Sequence, residues 1–166
     1  KARDELYAVN ALAATFFEDQ LRRHEHRAFA LEELAKRGLE PSWARVETAA
    51  SNEDTEGEPR QRPRSPKETE RIDDVLQAFR IGYAPPQWDG LAAFLRAQGV
   101  SPTAAETVGL LVPRSSGSGF YDRFRHRLMF AVIDAQGRVV AFSGRALRDL
   151  PEDATPAPGD VGRGGN

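Results

Sequence analysis

The chain of 166 residues contains no cysteine, which excludes disulfides and zinc ribbons. No apolar run approaches the ~18 residues of a membrane span. Three histidines without cysteine partners are poor material for a metal site. His24 and His26 lie two residues apart, so we expect them to face different sides of a helix, which favours surface histidines over metal ligands. A hydrophobic content of 40% still permits one or two small domains with a real core.

The sequence opens with Lys1. It shows neither a charged-then-apolar leader nor a small-residue cleavage site. We therefore expect a cytoplasmic fragment of a longer protein.

Helical periodicity recurs in five segments of the chain. Apolar residues at helical spacing predict five helices, over residues 5–18 with an extension to 23, from about 26 to 37, and over 72–79, 91–98 and 102–108. Gly38 is expected to end the second helix, and Ser101 to cap the last one. Residues 81–86 (IGYAPP) are predicted to form a rigid connector because of their two prolines.

Two segments lack the apolar residues of a folded element. Residues 47–70 are predicted to be a disordered insertion, since they cannot bury enough surface to offset the entropy of ordering. Residues 151–166 are predicted to be a linker or frayed tail. A single domain over residues 1–150 remains.

The clearest β signal is a hairpin. Residues 128–133 and 139–142 are rich in branched and aromatic side chains, and Asp134 to Gly137 join them. Both predicted strands are apolar on both faces, so helices must cover at least one face of the sheet. The predicted fold class is α+β, with several short helices packed on a small antiparallel sheet.

Positive charge is concentrated around this hairpin. Residues 114–148 contain seven arginines and two aspartates, a net charge of +5, whereas the whole chain carries −2. In an extended strand, Arg123, Arg125 and Arg127 would share one face at spacings of about 6.6 Å. Guanidinium groups grip phosphate bidentately, so the row indicates an anionic partner such as nucleic acid. The alternative is an ordinary solvated strand face.

Four motifs, in order, resemble the bacterial replicative DNA primases of the DnaG type. They are residues 35–39 (AKRGL), 79–85 (FRIGYAP) followed by 87–89 (QWD), 121–130 (YDRFRHRLMF) and 137–145 (GRVVAFSGR). The resemblance is to the amino-terminal subdomain of the RNA-polymerase catalytic core. It covers nearly the whole chain except residues ~46 to 70 and the last ~16, which would make the insertion specific to this lineage.

The resemblance implies a basic groove that holds single-stranded DNA template and the RNA–DNA hybrid against a neighbouring Toprim subdomain. The nucleic-acid-binding residues it suggests are Arg37, Arg123, Arg125, Arg127 and Arg145. Two of these have another explanation, since Arg37 could cap a helix end and Arg145 could pair with Asp149. Tyr83 and Trp88 could stack on bases. The alternative is that both aromatic residues fill the core.

The chain departs from the family pattern at two points. Ser143 replaces the first glycine of the usual Phe-Gly-Gly-Arg, which would loosen a close backbone approach there or add a hydroxyl contact. The Toprim carboxylates do not appear, so we expect no catalytic or metal-binding residue in this fragment and no primer synthesis by it alone. We expect Mg²⁺ or Mn²⁺, zinc and the replicative helicase to bind only other domains of the parent enzyme. We expect that enzyme to act at the replication fork.

A second hypothesis is a non-catalytic, primase-derived module that docks a protein or binds single strands. Residues 47–74 contain nine acidic and five basic residues, a net charge of −4, so this segment suits a protein partner better than DNA. Ser65 and Pro66 would offer it a phosphorylatable turn.

Overall fold

A computed structural model of the chain describes residues 1–44, 64–115 and 117–150. In chain order its main helices and strands are α1 (Ala2–Arg23), α2 (Arg27–Lys36), α3 (Pro66–Ala78), β1 (Gly82–Ala84), α4 (Gly90–Ala97), α5 (Pro102–Thr107), β2 (Leu111–Pro113), β3 (Phe120–Asp122), β4 (Arg127–Ile133) and β5 (Val139–Ala146). This confirms the α+β class, the five predicted helices and the hairpin. Within these ranges no helix is both long enough and apolar enough to cross a bilayer.

The ends of the helices follow local sequence signals. Gly38 has φ 72° and ends α2, where the N–H of Leu39 donates to the carbonyl of Leu34 (2.9 Å). The Ser101 hydroxyl accepts a hydrogen bond from Ala104 N and caps α5, as predicted.

The predicted disordered insertion ends earlier than the sequence indicated. Ser65 and Glu68 form a reciprocal capping box, and Pro66 occupies the first turn of α3, so residues 66–70 are helical. The prediction was wrong here because we gave apolar content more weight than this capping signal. Residues 47–63 and the predicted tail, 151–166, lie outside the described residues.

The predicted connector at residues 81–86 contains strand β1. Gly82, Tyr83 and Ala84 pair antiparallel with β4, which gives a three-stranded sheet of order β1-β4-β5. The connector prediction was wrong. Pro85 and Pro86 lie just beyond the paired residues, so Gly82, Tyr83 and Ala84 keep backbone N–H groups that can pair with β4. Strands β2 and β3 form a separate two-stranded sheet.

Helices cover both faces of the three-stranded sheet. On one face, Phe17 of α1 packs with Met129 and Phe142, in a core that α4 and α5 complete. On the other face, Leu128 and Tyr83 pack with apolar residues of α2 and α3. Because neighbouring positions in a strand alternate between faces, each arginine of β4 and β5 belongs to one of these two sides.

Helix α1 approaches the sheet most closely at Gly82. A Cβ atom at this position would lie 2.5 Å from the backbone carbonyl carbon of Phe17. Since backbone cannot move aside as a flexible side chain does, only glycine permits this approach.

We expect Gly82→Ala to lower the free energy of unfolding by about 1–3 kcal/mol, because the new methyl group forces α1 away from β1. Urea denaturation of both proteins measures the difference. Gly90→Ala is the matched control, since a Cβ at Gly90 meets nothing nearer than 3.7 Å. Equal stability of Gly82→Ala and wild type would contradict the close packing.

Candidate nucleic-acid interface

The arginines after Phe120 do not form one row on one strand. β3 ends at Asp122 in the two-stranded sheet, and β4 begins at Arg127 in the three-stranded sheet. The chain turns between the sheets, and His126 has a left-handed backbone conformation there (φ 49°). The predicted common face was therefore wrong, because a strand cannot continue through this change of sheet.

Asp122 fixes the start of this turn. Its side chain is buried (1% exposed), and its two oxygens accept hydrogen bonds from the backbone N–H groups of Leu91 (2.8 Å) and Ala92 (2.9 Å). These are orphan N–H groups in the first turn of α4, whose own N-cap residue, Asp89, makes no side-chain cap bond. Asp122 thus caps a helix about thirty residues earlier in the sequence and ties β3 to α4.

Burial raises the pKa of the Asp122 carboxyl to about 7, because taking the charged form out of water outweighs the two N–H groups that favour it. The charge of Asp89 raises this pKa further, and that of Arg125 lowers it.

Arg125 is held inside the turn. Its guanidinium carbon lies 3.7 Å from the ring centroid of Trp88, and its Nη1 donates to the Asp122 carbonyl (2.6 Å). Burial lowers the pKa of Arg125, and the charge of Arg127 lowers it further. Trp88 is half-buried beneath this guanidinium, so stacking of a base on that ring face would require Arg125 to move.

Tyr83 has a structural position. Its side chain is fully buried, and burial raises the pKa of its hydroxyl. The hydroxyl pairs with Nδ1 of His126 (2.8 Å), and Nε2 of His126 pairs with the carbonyl of Arg148 (2.7 Å). The ring has no exposed face for a base, so the predicted stacking of Tyr83 does not fit and its alternative, a place in the core, does.

Arg37 and Arg145 meet at one carboxylate. Oε1 of Glu33 in α2 forms ion pairs with Nε of Arg145 (2.9 Å) and with Nε of Arg37 (3.4 Å). The structure thus brings together two predicted residues that are more than a hundred positions apart. The partner of Arg145 is Glu33, whereas the sequence alternative was Asp149.

Arg127 crosses strand β5. A Cβ atom at Gly144 would lie 3.0 Å from Cδ of Arg127 and 3.1 Å from the Phe124 ring, so these side chains use the space that glycine leaves. Ser143, at the departure from the family pattern, is exposed and pairs with Phe130 instead. The packing therefore requires Gly144, which is the second glycine of the family pattern and is retained in this chain.

Arg123 and Arg127 are the most available of the predicted residues. Arg123 is exposed and Arg127 is half-buried, and neither forms an ion pair or a side-chain hydrogen bond with another described residue. They lie at the two ends of the turn between β3 and β4. Their guanidinium groups can therefore donate hydrogen bonds to phosphate oxygens without first releasing another partner in the described ranges.

The sequence predicted that His24 and His26 lie on one helix. They lie instead in the turn between α1 and α2. Their rings are 5.6 Å apart, and the ring of His24 also contacts that of Tyr83 (5.5 Å). Within residues 1–44, 64–115 and 117–150, no group of three histidine or acidic side chains is placed to hold a metal ion.

Sequence reasoning missed three acidic neighbours of the arginines. Asp122 lay inside the YDRFR motif but counted only as a charge, and the adjacent Glu32 and Glu33 of α2 drew no attention. A buried carboxylate leaves no signal in the sequence. The glutamate pair could have been found by asking which acids face the basic hairpin.

Comparisons with known proteins agree with this fold. The family model of the DNA primase catalytic core N-terminal domain matches residues 67–156. The chain is 39% identical over 147 residues to a DNA primase of Synechococcus elongatus, an alignment that covers 87% of this chain and 16% of that primase.

Similar solved structures include two that contain DNA. One is a DnaG primase catalytic domain bound to ssDNA, with a TM-score of 0.60, 28% identity, and coverage of 91% of this chain and 38% of that one. The other is the RNA polymerase domain of Mycobacterium tuberculosis primase DnaG in complex with a double-stranded DNA oligomer with a 6-nucleotide overhang. Its TM-score is 0.63 and its identity 26%, over 90% of this chain and 36% of that one.

The fold and these matches define the class as the amino-terminal domain of a primase catalytic core. The chain belongs to the bacterial DnaG-type DNA primases, which confirms the resemblance of the four motifs. It spans 12% to 17% of the length of the curated relatives it matches.

We expect Asp122→Asn to destabilise the fold by about 1–3 kcal/mol, since the amide offers one acceptor oxygen to two N–H donors. The difference should depend on pH. With a folded pKa of about 7 and an ordinary unfolded value of 3.8, the folded state binds more protons between these values. The wild type therefore loses stability as pH rises through this window, by at most about 1.4 kcal/mol per unit.

Urea denaturation of both proteins at several pH values from 5 to 8 tests this. Histidine titration is common to both and cancels in the difference. The advantage of the wild type should be largest at pH 5 and smallest at pH 8. The opposite trend would show that folding lowers the pKa of Asp122.

Proposed function

We propose that this chain is the template-binding part of a DNA primase, and that it holds single-stranded DNA and the RNA–DNA hybrid while the intact enzyme makes an RNA primer. The observation that carries the proposal is the concentration of charge: +5 over residues 114–148, with Arg123 and Arg127 unpaired among the described residues. A similar catalytic domain that was solved bound to ssDNA supports it.

The geometry suits contacts to the phosphate backbone. Asp122 and Trp88 hold the turn between β3 and β4 in one shape, so Arg123 and Arg127 are presented from a rigid support. Arginine contacts to phosphates fix the position of a strand without reading its bases. We therefore expect binding with little sequence preference.

Nucleotidyl transfer needs acidic residues that hold divalent metal ions. We place that site, with Mg²⁺ or Mn²⁺, in a Toprim subdomain of the parent enzyme, and zinc and the contact with the replicative helicase in its further domains. No step of the chemistry is assigned to the described residues. This fragment alone should not polymerise nucleotides, and the parent enzyme should act at the replication fork.

Fluorescence anisotropy of a labelled single-stranded DNA over a salt series tests the proposal. We expect binding in roughly the micromolar range, with a slope of log K against log salt of at most about −3.5, the value reached when each of the five predicted arginines neutralises one phosphate. Absence of binding at low salt would overturn the proposal. It would favour the docking module, with the arginines as a solvated surface.

Arg123→Gln and Arg127→Gln should each weaken this binding and reduce the slope by about 0.7, because each removes one phosphate contact. Arg3→Gln is the matched control, since Arg3 is an exposed arginine in the first turn of α1, outside the basic stretch. Unchanged affinity and slope in both variants would remove these residues from the interface. Arg125 is less suitable for this test, because its contacts with Trp88 and Asp122 make it part of the fold.

A further inference from the structure

Helix α2 places two adjacent carboxylates, Glu32 and Glu33, against Arg145 of β5, Arg148 just beyond β5 and Arg37 just beyond α2. Oε1 of Glu33 forms ion pairs with Nε of Arg145 and with Nε of Arg37. Oε2 of Glu32 accepts a hydrogen bond from Nε of Arg148 (3.2 Å) and forms an ion pair with its Nη2 (3.1 Å). Three arginines and two glutamates thus form one cluster with a net charge of +1.

The cluster is accessible from solvent. The side chain of Arg145 is 57% exposed and that of Arg37 is 40% exposed, whereas Glu33 beneath them is 19% exposed. Both arginines approach Glu33 through Nε, and their terminal Nη groups make no hydrogen bond with another described residue. Two guanidinium groups therefore meet around one anionic oxygen, with further donors open to solvent.

We propose that Glu33 competes with a nucleic-acid phosphate for the Arg37–Arg145 pair and thereby lowers the affinity of this chain for nucleic acid. A phosphodiester binds at this pair as the Glu33 carboxylate gives up its contacts. The inference rests on the proposed function, since it concerns two of the arginines assigned to nucleic-acid binding.

The chemistry favours exchange over a permanent ion pair. Arg145 and Arg37 are 57% and 40% exposed, so water screens their ion pairs with the half-buried Glu33, and exchanging that carboxylate for another anion costs little. A phosphate offers the same kind of anionic oxygen, and it can engage the planar guanidinium forks bidentately. While Glu33 stays in place, its charge also repels an approaching phosphate.

Glu33→Gln tests the competition, because glutamine keeps the size of the side chain and one acceptor oxygen but removes the charge. We expect about three-fold tighter binding of a labelled single-stranded DNA of mixed sequence. The salt slope should steepen by about 0.7, since one more phosphate contact becomes available. In an Arg145→Gln background, Glu33→Gln should increase the DNA affinity less, because one of the two arginines that pair with Glu33 is absent.

Asp19→Asn is the matched control. Asp19 pairs with Arg23 (2.9 Å) on exposed positions of α1, so this change removes the same charge from a similar ion pair outside the cluster. Its DNA affinity should equal that of the wild type. Thermal melting followed by circular dichroism checks that every variant is folded.

The outcomes separate this inference from the proposed function. If the wild type binds DNA but Glu33→Gln binds equally or more weakly, the competition is overturned and the proposed function stands; weaker binding would make Glu33 a positioning residue. Equal tightening by Asp19→Asn would also overturn it, since net charge alone would then explain the gain. Failure of the wild type to bind at low salt would overturn both.

Discussion

The buried carboxylate of Asp122 is the constraint on which the arrangement of the basic surface depends. This carboxylate caps α4 from a distant strand. The backbone N–H of Asp122 donates to the carbonyl of Trp88 (2.7 Å). The strand, the segment before α4 and the turn that follows are thereby joined at one point. Losing these bonds would leave orphan N–H groups of α4 unsatisfied in a buried place, which is costly. The turn with Arg123 and Arg125 starts at this junction.

The change of sheet between β3 and β4 also determines where the positive charge lies. The change from one sheet to the other removes the single arginine row and distributes the charge around the hairpin. Arg127 lies on the α1 side and crosses at Gly144, whereas Arg145 lies on the α2 side with Leu128 and Tyr83. Because both reach the same end of β5, one phosphate backbone could contact residues from both sides of the sheet. A flat strand face would have offered only one.

Glu32 and Glu33 of α2 partly neutralise the positive charge of this surface. Residues 114–148 carry a net charge of +5 in a chain of −2, and Glu32 and Glu33 pair with Arg148 and Arg145 of this stretch and with Arg37. Such exposed pairs add little stability but keep long, flexible side chains near one place. Under the proposed function, a surface held this way keeps its arginines close together before nucleic acid arrives and exchanges one anion for another on binding.

Five helices, the hairpin and the family could be predicted from the sequence, because periodicity, caps such as Ser101 and Gly38, and short motifs are local properties of the chain. The sequence did not determine β1, since a three-residue strand has no period and exists only through its pairing with β4. Nor did it determine the partners of Asp122 or the meeting of Arg37, Arg145 and Glu33, which join residues far apart in the chain. Only tertiary structure decides such contacts, because burial and proximity across the sheet arise from packing and have no counterpart in residue spacing.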